Sequence, residues 1–370
     1  MKNYAPNPEQ EIKLMIKTAC YCSFALLTLV FSTSATADAF SLVRTDSGKP
    51  DLSGYYDAAT LTPLERPKVF GNKQWMDQVE ADAVLAKIRE TYSGLEKESS
   101  GDRGAPKAGG DGDNRFGGGG VGGYNAFWID PGSNVNEMNG KFRTSIIYDP
   151  ANGQMPKRSK EALVKMADQG SSFIYENDGT ASWLKHDGPG PFDGPESLGL
   201  NERCLVGFTG AAPTLPSLYN NYKEIIQTED HVVIVIEMVH DARIIRLNAE
   251  HGPENLKSWF GDSVGHWEGD TLVVDTINFR ETTMLQGADA NLHLIERFTP
   301  LENGNLVYNF TVEDKTAWDQ SWSGEYTWQR SGNVIYEYAC HEGNYAMGNI
   351  LRGARLLESE APIKEEHAME

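Results

Sequence analysis

The stretch from residue 222 to residue 345 consists of short apolar runs separated by turn sequences, and this pattern constrains the fold more than any other feature of the chain. Glycine stands beside Asn or Asp in the turns at residues 268–271 (Glu-Gly-Asp-Thr), 303–305 (Asn-Gly-Asn) and 331–333 (Ser-Gly-Asn). Such turns supply the positive-φ positions of hairpins, and the alternating apolar residues beside them supply half-buried strands. The pattern predicts a mostly antiparallel β structure.

Eight strands are predicted in this stretch, with a further strand near Phe142. The eight ranges are near 222–228, 231–239, 242–247, 271–278, 291–298, 305–313, 322–329 and 333–340. Closing them into a barrel removes exposed strand edges, which a sandwich of two sheets keeps. We therefore favour an antiparallel, lipocalin-like β-barrel over a sandwich. Helical spacing of apolar residues also predicts a helix at 78–96, and a short helix is predicted at 159–169.

The first 37 residues have the pattern of a signal peptide. Lys13 and Lys17 precede an apolar run at residues 19–31, which is too short to span a bilayer and is followed by Ala-Thr-Ala at 35–37. We predict cleavage after Ala37 and a periplasmic or secreted protein with no membrane insertion of the mature chain.

Three regions are predicted after the signal peptide. Residues 38–123 form an irregular, partly helical segment with a Gly-rich loop, 124–355 an antiparallel β domain, and 356–370 an acidic tail. The loop at 101–123 has too few apolar residues to offset its own ordering entropy. The segment at 38–123 is expected to wrap the barrel instead of folding alone.

Only Cys204 and Cys340 remain after residue 37. Two cysteines in an oxidising compartment are more often joined than free, so we predict a disulfide between them. It would close a long loop, worth on the order of 4 kcal/mol in the chain-entropy model. Two buried or reactive thiols are the alternative.

The charge of the chain narrows the choice of partners. The sequence has 53 acidic and 33 basic residues, a formal net charge of −20. A surface this negative repels phosphate backbones and anionic lipids, so neither nucleic acid nor a membrane surface is an expected partner. A small-molecule or carbohydrate ligand is expected instead, and no pattern indicates an oligomeric state.

Several sequence strings resemble an uncharacterised family of secreted bacterial proteins. The resemblance covers residues 50–355 and implies one structural unit without implying an activity. The strings lie at 51–54 (Asp-Leu-Ser-Gly), 61–67 (Leu-Thr-Pro-Leu-Glu-Arg-Pro), 122–128 (Gly-Gly-Tyr-Asn-Ala-Phe-Trp), 237–245 (Glu-Met-Val-His-Asp-Ala-Arg-Ile-Ile), 267–274 (Trp-Glu-Gly-Asp-Thr-Leu-Val-Val) and 336–345 (Tyr-Glu-Tyr-Ala-Cys-His-Glu-Gly-Asn-Tyr).

The densest polar cluster follows the last predicted strand, at residues 340–345 (Cys-His-Glu-Gly-Asn-Tyr). A disulfide at Cys340 would hold this backbone still, which suits a site that needs fixed geometry. His341 and Glu342 are therefore candidate catalytic residues. The plain structural alternative is a turn whose polar groups cap the chain.

A second cluster, His240-Asp241-Ala242-Arg243, lies in a predicted turn between two strands. A carboxylate can orient a neighbouring imidazole for proton transfer, and a guanidinium can grip a carboxylate or sulfate with two hydrogen bonds. Glu237 has apolar neighbours on both faces of its predicted strand and is expected to be buried. Its partner is then Arg243 or Arg297, or else its pKa rises and it becomes an acid or base.

We predict a cofactor-independent lyase, isomerase or hydrolase that moves protons with His and acidic residues on a small organic or carbohydrate substrate. The alternative is a lipocalin-like binding protein for an apolar small molecule. The enzyme requires His240, His293 and His341 to converge on one cavity. No metal is expected, because no two histidines have the close spacing of a zinc motif. The catalytic candidates are His240, Asp241, His293, His341 and Glu342, and the substrate-binding candidates are Trp128, Tyr222, Glu237, Arg243, Arg297, Asn344 and Tyr345.

Overall fold

Nine strands close into a β-barrel, and the remaining elements pack around it. The computed structural model describes residues 42–95, 129–169, 178–210, 212–285 and 287–361. In chain order the strands are β1 (Gly54–Asp57), β2 (Trp75–Met76), β3 (Glu137–Met138), β4 (Lys141–Arg143), β5 (Ile147–Asp149), β6 (Tyr222–Gln227), β7 (His231–Ile236), β8 (Ala242–Leu247), β9 (Asp262–Glu268), β10 (Thr271–Ile277), β11 (His293–Pro300), β12 (Leu306–Glu313) and β13 (Trp322–Ser331). The helices are α1 (Gln78–Leu95), α2 (Lys160–Gln169) and α3 (Ala346–Glu360).

The order of strands around the barrel is β1-β6-β7-β8-β9-β10-β11-β12-β13, and β13 pairs with β1 to close it. Every pair is antiparallel except β8 with β9, which are parallel. The barrel is therefore mixed. The predicted mainly β, barrel-type fold is confirmed, with this one departure from a fully antiparallel sheet.

Successive side chains of a strand point to opposite faces, so every second residue of each barrel strand faces the interior. Residues paired across neighbouring strands point to the same side of the sheet. Tyr308 on β12 is paired with Phe298 on β11 and with Tyr326 on β13, and all three are fully buried. The rings of Tyr308 and Trp328 lie 5.0 Å apart. Large aromatic side chains therefore fill this part of the barrel.

The two ends of the barrel differ. At one end tight turns join β6 to β7, β9 to β10 and β11 to β12. At the other end, called here the loop end, Asp57 ends β1, Tyr222 begins β6 and Ile236 ends β7. Longer connections cover the loop end, and one of them places Thr214 against the interior. Its backbone N–H donates to the Tyr308 hydroxyl, and its carbonyl accepts from Tyr326, both at 3.0 Å.

Local sequence explains where the helices begin. Asp77 and Glu80 form a capping box at the start of α1, because each side chain accepts a hydrogen bond from the other residue's backbone N–H at 3.0 Å. Ser159 caps α2 by accepting from the N–H of Ala162. Trp183 packs near Ala354 of α3 and donates its indole N–H to Glu358. Both predicted helices are confirmed, and α3 was not predicted.

Two of the predicted barrel strands are wrong. Residues 333–340 are irregular, and Val334 and Tyr336 are 46% and 72% exposed. The physical reason is that the edge of β13 is already taken, by β1 at residues 329–331 and by β5 at residues 323–324. The strand predicted near Phe142 is divided in two: β4 lies in a separate three-stranded sheet with β2 and β3, whereas β5 pairs with β13 beside the closed barrel.

Their places are taken by β1 and β9. The short β1 belongs to the region assigned to the irregular N-terminal segment, so the barrel does not begin at residue 124. Strand β9 was missed because Gly265 weakens its strand pattern. A Cβ at Gly265 would lie 2.9 Å from Ile245 Cγ2, so only glycine fits between β8 and β10.

The predicted domain boundaries change at the C-terminal side as well. Helix α3 crosses the predicted boundary between the β domain and the acidic tail at residue 355. The predicted signal peptide at 1–37 and the Gly-rich loop at 101–123 lie outside the described residues. Within the described part of the chain, no helix combines the length and apolarity needed to cross a membrane.

Candidate functional site

A polar recess with a volume of about 220 Å³ opens at the loop end of the barrel. Three of its lining residues carry carboxylates, two carry amides and two carry phenols. The residues that line this loop-end recess are Asp57, Asp130, Tyr219, Asn220, Asn221, Tyr222 and Glu237.

The strand ends position these side chains. Asp57 and Tyr222 are register partners in β1 and β6, and the backbone N–H of Glu237 donates to the Tyr222 carbonyl at 3.1 Å. The Asn221 side chain donates to the Asp130 carbonyl at 3.2 Å and thereby ties the loop carrying Asp130 to the start of β6. The ends of β1, β6 and β7 and the two loops that carry Asp130 and residues 219–221 therefore meet at the recess.

Lys223 lies behind this recess with its side chain in the barrel interior. It is paired with Tyr56 on β1 and Ile236 on β7 and is fully buried. Within the described residues, its Nζ atom has no hydrogen-bond partner. Burial lowers the pKa of Lys223 to about 7, against the opposing attraction of Glu237 and Asp57. The amine is therefore partly neutral near neutral pH.

The carboxyl groups around Lys223 are shifted in the opposite direction. Burial raises the pKa of Asp57, and the nearby charge of Asp130 adds to the rise. Burial also raises the pKa of Asp241, although the backbone N–H of Gly207 opposes the rise by donating to Asp241 Oδ2 at 3.0 Å. The raised pKa values of these acids lie closer to the lowered pKa of the amine, which favours proton exchange between them.

The backbone next to the recess is strained. Val239 has φ +63°, a left-handed conformation that β-branched residues rarely adopt, and His240 follows with φ +46°. Residues held in such conformations cost about 1–3 kcal/mol each and cluster at functional sites. The segment at 204–209 packs on this rim, where Phe208 N–H contacts the Met238 sulfur at 3.0 Å.

The predicted disulfide is confirmed and fastens the same segment. Cys204 is joined to Cys340 with a Cα–Cα distance of 5.9 Å. The Thr209 hydroxyl, five residues on, donates to the Asn220 carbonyl at the recess. The covalent bond therefore restrains a loop that touches both the strained rim and the recess.

Two of the predicted substrate-binding residues, Tyr222 and Glu237, line the recess. The prediction that Glu237 is buried is confirmed, since only 7% of it is exposed. Its expected partners are wrong, because the cation that interacts with it is Lys223. Asp241, a predicted catalytic residue, interacts with the same amine.

Arg243 and Arg297 do not reach the recess. Arg243 is an interior residue of β8, and its two terminal nitrogens donate to the two carboxylate oxygens of Glu296, one of them at 2.9 Å. Tyr308 donates to the same carboxylate at 2.6 Å. Arg297 faces outward on β11 and pairs with Glu268 at 2.7 Å. Both guanidinium groups grip carboxylates, as expected of arginine, but these belong to the protein itself.

The three predicted catalytic histidines are not brought together in the barrel interior. His240 and His341 are exposed. His293 lies on the outer wall, where its Nε2 and Nδ1 atoms contact Asp275 at 2.9 Å and Glu313 at 3.0 Å. Within the described residues, no group of three or more His, Cys, Asp or Glu side chains is placed to hold a metal ion.

The remaining candidates lie away from the recess or outside the described residues. Glu342, Asn344 and Tyr345 are exposed before α3, with Tyr345 78% exposed. Asn344 accepts a hydrogen bond from Ala346 N at the start of the helix, which is the plain structural role. Trp128 lies outside the part of the chain that the structure describes.

The outer wall carries a chain of alternating charge that the sequence reasoning missed. Asp275 on β10 contacts His251 Nε2 and His293 Nε2, both at 2.9 Å. His251 also contacts Asp262 at 3.2 Å, and Arg246 donates to Asp262 at 2.8 Å. The hydrogen bond to Asp275 raises the pKa of His293. Both ring nitrogens of each histidine are occupied by carboxylates, which favours a cross-strand ionic contact over a proton-transfer site.

The sequence analysis did not identify Asp57 and Asp130, which line the recess, or Lys223, which lies behind it. The available signal was the string Tyr-Asn-Asn-Tyr at 219–222, which opens the run of strands with groups suited to sugar binding. Comparison with known proteins gives no matching family model and no matching curated protein.

Proposed function

We propose that the protein is an exported acid–base enzyme that acts on a small polyhydroxylated molecule in the loop-end recess. The observation that carries the proposal is the set of carboxylates of Asp57, Asp130 and Glu237 around one recess, with the buried amine of Lys223 behind it. Burial lowers the pKa of Lys223 and raises that of Asp57, and perturbed groups of this kind at a cleft are candidates for acid–base catalysis. The reaction type is the one that the sequence predicts, with carboxylates and an amine in place of imidazoles.

The roles follow from the environments of the groups. Asp57 serves as the acid, since burial raises its pKa and keeps its proton to higher pH. Glu237, directly after the end of β7, serves as the base. Lys223 exchanges protons with both, because a group with a pKa of about 7 gives and takes protons readily at neutral pH.

The lining of the recess favours a small, polar substrate. The amide of Asn220 and the phenols of Tyr219 and Tyr222 suit hydrogen bonding and stacking with a hydroxylated ring or chain. The volume of about 220 Å³ is below the roughly 300–1,000 Å³ of pockets that hold drug-sized ligands. A molecule no larger than a single sugar unit fits best.

The alternative of a lipocalin-like carrier for an apolar molecule has less support. The inward positions of β12 and β13 carry aromatic side chains that are fully buried against one another, so they leave this part of the interior filled. Export, in turn, is supported by the signal-peptide pattern of the first 37 residues.

Proton transfer at carbon can be tested without knowing the substrate. The mature protein is incubated in D2O with a panel of aldoses, ketoses and the matching alditols, and proton NMR follows deuterium exchange and new products. We expect exchange with at least one carbonyl sugar. Glu237→Gln and Asp57→Asn should each lower its rate by at least about 100-fold, as removal of a general acid or base does.

The matched control is Glu229→Gln, which removes an exposed carboxylate between β6 and β7 and should leave the rate unchanged. A panel without any exchange or binding overturns the proposal. So does a Glu237→Gln variant that exchanges as fast as the wild type.

A further inference from the structure

Lys223 differs from the exposed lysines of the protein in what surrounds its amine. An ammonium has three N–H donors and is costly to bury without acceptors. Lys257 pairs with Glu281 on the surface, whereas Lys223 is fully buried and its Nζ atom has no hydrogen-bond partner among the described residues. Glu237 and Asp57, which both line the recess, are close enough to attract its charge. The chain thus keeps an incompletely bonded amine directly behind a polar recess.

Burial of this kind changes the chemistry of a lysine. A desolvated amine that loses its proton has a free electron pair and becomes a nucleophile for carbonyl carbon. The step also needs acids that donate protons to oxygen, and the neighbouring carboxyl groups of Asp57 and Asp241 hold their protons more strongly than ordinary aspartates. Nucleophile and acids are therefore present together.

We propose that Lys223 forms an imine with the carbonyl group of a small hydroxy-aldehyde or hydroxy-ketone, such as the open-chain form of a sugar. This inference rests on the proposed function and narrows its substrate to carbonyl compounds. The hydroxyl groups of such a molecule face the amides and phenols of the recess, while its carbonyl carbon faces the amine.

The covalent step balances without any further reactant. The Nζ electron pair attacks the carbonyl carbon, the C=O π electrons move to oxygen, and a proton from a carboxyl group gives a carbinolamine. The carboxylate left behind takes up one Nζ proton and returns it to the hydroxyl, which departs as water while the nitrogen electron pair forms the protonated C=N bond. Glu237 removes a proton from the adjacent carbon, because the protonated imine withdraws electrons from that C–H bond. The same carbon then takes up a proton, or a deuteron in D2O, and addition of water reverses the first steps and frees the amine.

The substrate reaches the amine when the Glu237 side chain turns away, and the side chain returns to act as the base once the imine has formed. Glu237 directly precedes the strained turn at residues 238–240, and Val239 in that turn holds φ +63°. A segment in an unfavourable conformation has less to lose on rearranging than a relaxed strand. Asp57, by contrast, ends a strand that is hydrogen-bonded on both sides.

Trapping of the imine tests the proposal on the wild-type mature protein. The protein is mixed at pH 7 with glycolaldehyde and sodium cyanoborohydride, which reduces imines to stable amines, and peptide mass spectrometry measures the hydroxyethyl group on each lysine. An exposed lysine with an ordinary pKa near ~10.4 is neutral in only about one molecule in a thousand at this pH. We expect labelling of Lys223 to exceed that of the exposed Lys315 by at least tenfold.

The pH dependence provides a second reading that needs no variant. Labelling of Lys223 should reach half its maximum near pH 7. Lys223→Arg keeps a cation at the position and should remove this one adduct. Equal labelling of the two lysines at pH 7 overturns the imine.

The outcomes separate this inference from the proposed function. If Lys223 stays unlabelled while Glu237→Gln still abolishes deuterium exchange, the imine is wrong and the acid–base recess stands. If Lys223 is unlabelled and no exchange occurs with any sugar of the panel, both are wrong.

Discussion

The barrel buries two cations on the strands that flank β7, and it treats them in opposite ways. Arg243 on β8 is held by both carboxylate oxygens of Glu296, which also accepts from Tyr308. The Nζ atom of Lys223 on β6 donates no hydrogen bond to any described residue, and burial lowers the pKa of this amine to about 7. Two similarly buried positions therefore hold one cation in a complete ion pair and one amine without a hydrogen-bond partner among the described residues.

The difference distinguishes a cation that stabilises the barrel, Arg243, from one that is available for chemistry, Lys223. A buried charge is tolerated when its partners are present, and removing one partner of such a pair is strongly destabilising. An amine without partners lowers stability, and proteins retain such groups where function needs them. The Arg243–Glu296 pair accordingly belongs to the core, and Lys223 belongs to the loop-end recess.

Breaking the completed pair should have the largest effect. Glu296→Gln leaves the Arg243 charge buried without its counter-ion, and we expect the free energy of unfolding to fall by about 3–5 kcal/mol. Urea denaturation followed by tryptophan fluorescence measures it. The exposed Glu302→Gln serves as control and should change stability by less than about 0.5 kcal/mol. A loss below about 1 kcal/mol for Glu296→Gln would show that the pair contributes no more than a surface contact.

Replacing Lys223 should change the free energy of unfolding in the opposite direction. In Lys223→Met a flexible apolar chain fills the same space without a charge, so we expect stability to rise by about 2–3 kcal/mol at pH 6 while turnover is lost. Between the folded pKa of about 7 and an ordinary lysine value near ~10.4, the unfolded wild type binds more protons than the folded one. Wild-type stability therefore rises with pH in this window, and the advantage of the variant shrinks toward pH 10.

The control for this prediction is the pH series itself. Both proteins keep Asp57 and Asp241, so the difference between their unfolding free energies isolates the amine to first order. An advantage that stays constant from pH 6 to pH 10 would mean that folding does not change the protonation of Lys223 and that its pKa is not lowered in the barrel. A variant less stable than the wild type at pH 6 would contradict an unpartnered amine.

The same comparison shows what the sequence can and cannot reveal. Alternating apolar residues and Gly-containing turns identify most strands of the barrel, because burial on one face is written directly into a period of two. Such a pattern does not reveal which strands lie side by side. The short β1 belongs to the barrel because it pairs with both β6 and β13. That pairing depends on the folded structure and has no signal in the four residues of β1 themselves.

Site residues are harder to predict for a related reason. In the run Tyr-Lys-Glu-Ile-Ile-Gln at 222–227, Ile225 and Ile226 occupy opposite faces, so the sequence does not show that Lys223 points inward. Histidines are recognisable in a sequence as candidates for proton transfer because their ordinary pKa lies near neutrality. A lysine joins that class only after burial shifts its pKa, which depends on the completed barrel.

His293 on the outer wall is a third charged group, and replacing it should have the smallest effect on stability. His293 is one-third exposed between Asp275 and Glu313, and the hydrogen bond to Asp275 raises its pKa. A raised folded-state pKa stabilises the protein fully below the unfolded value near ~6.5, and the contribution is lost as pH rises through the folded value. After allowance for solvent screening, His293→Gln should cost about 1 kcal/mol at pH 5.5 and little at pH 9.

Paired urea titrations at the two pH values measure this, with the exposed His231→Gln as the matched control that should show no difference. A cost for His293→Gln that is equal at both pH values would assign the contact to neutral hydrogen bonding instead of charge. A cost that follows protonation would make the His293 contacts intermediate between those of Arg243 and Lys223. Carboxylates pair with His293 as Glu296 pairs with Arg243, but water weakens the interaction at the outer wall more than in the closed interior.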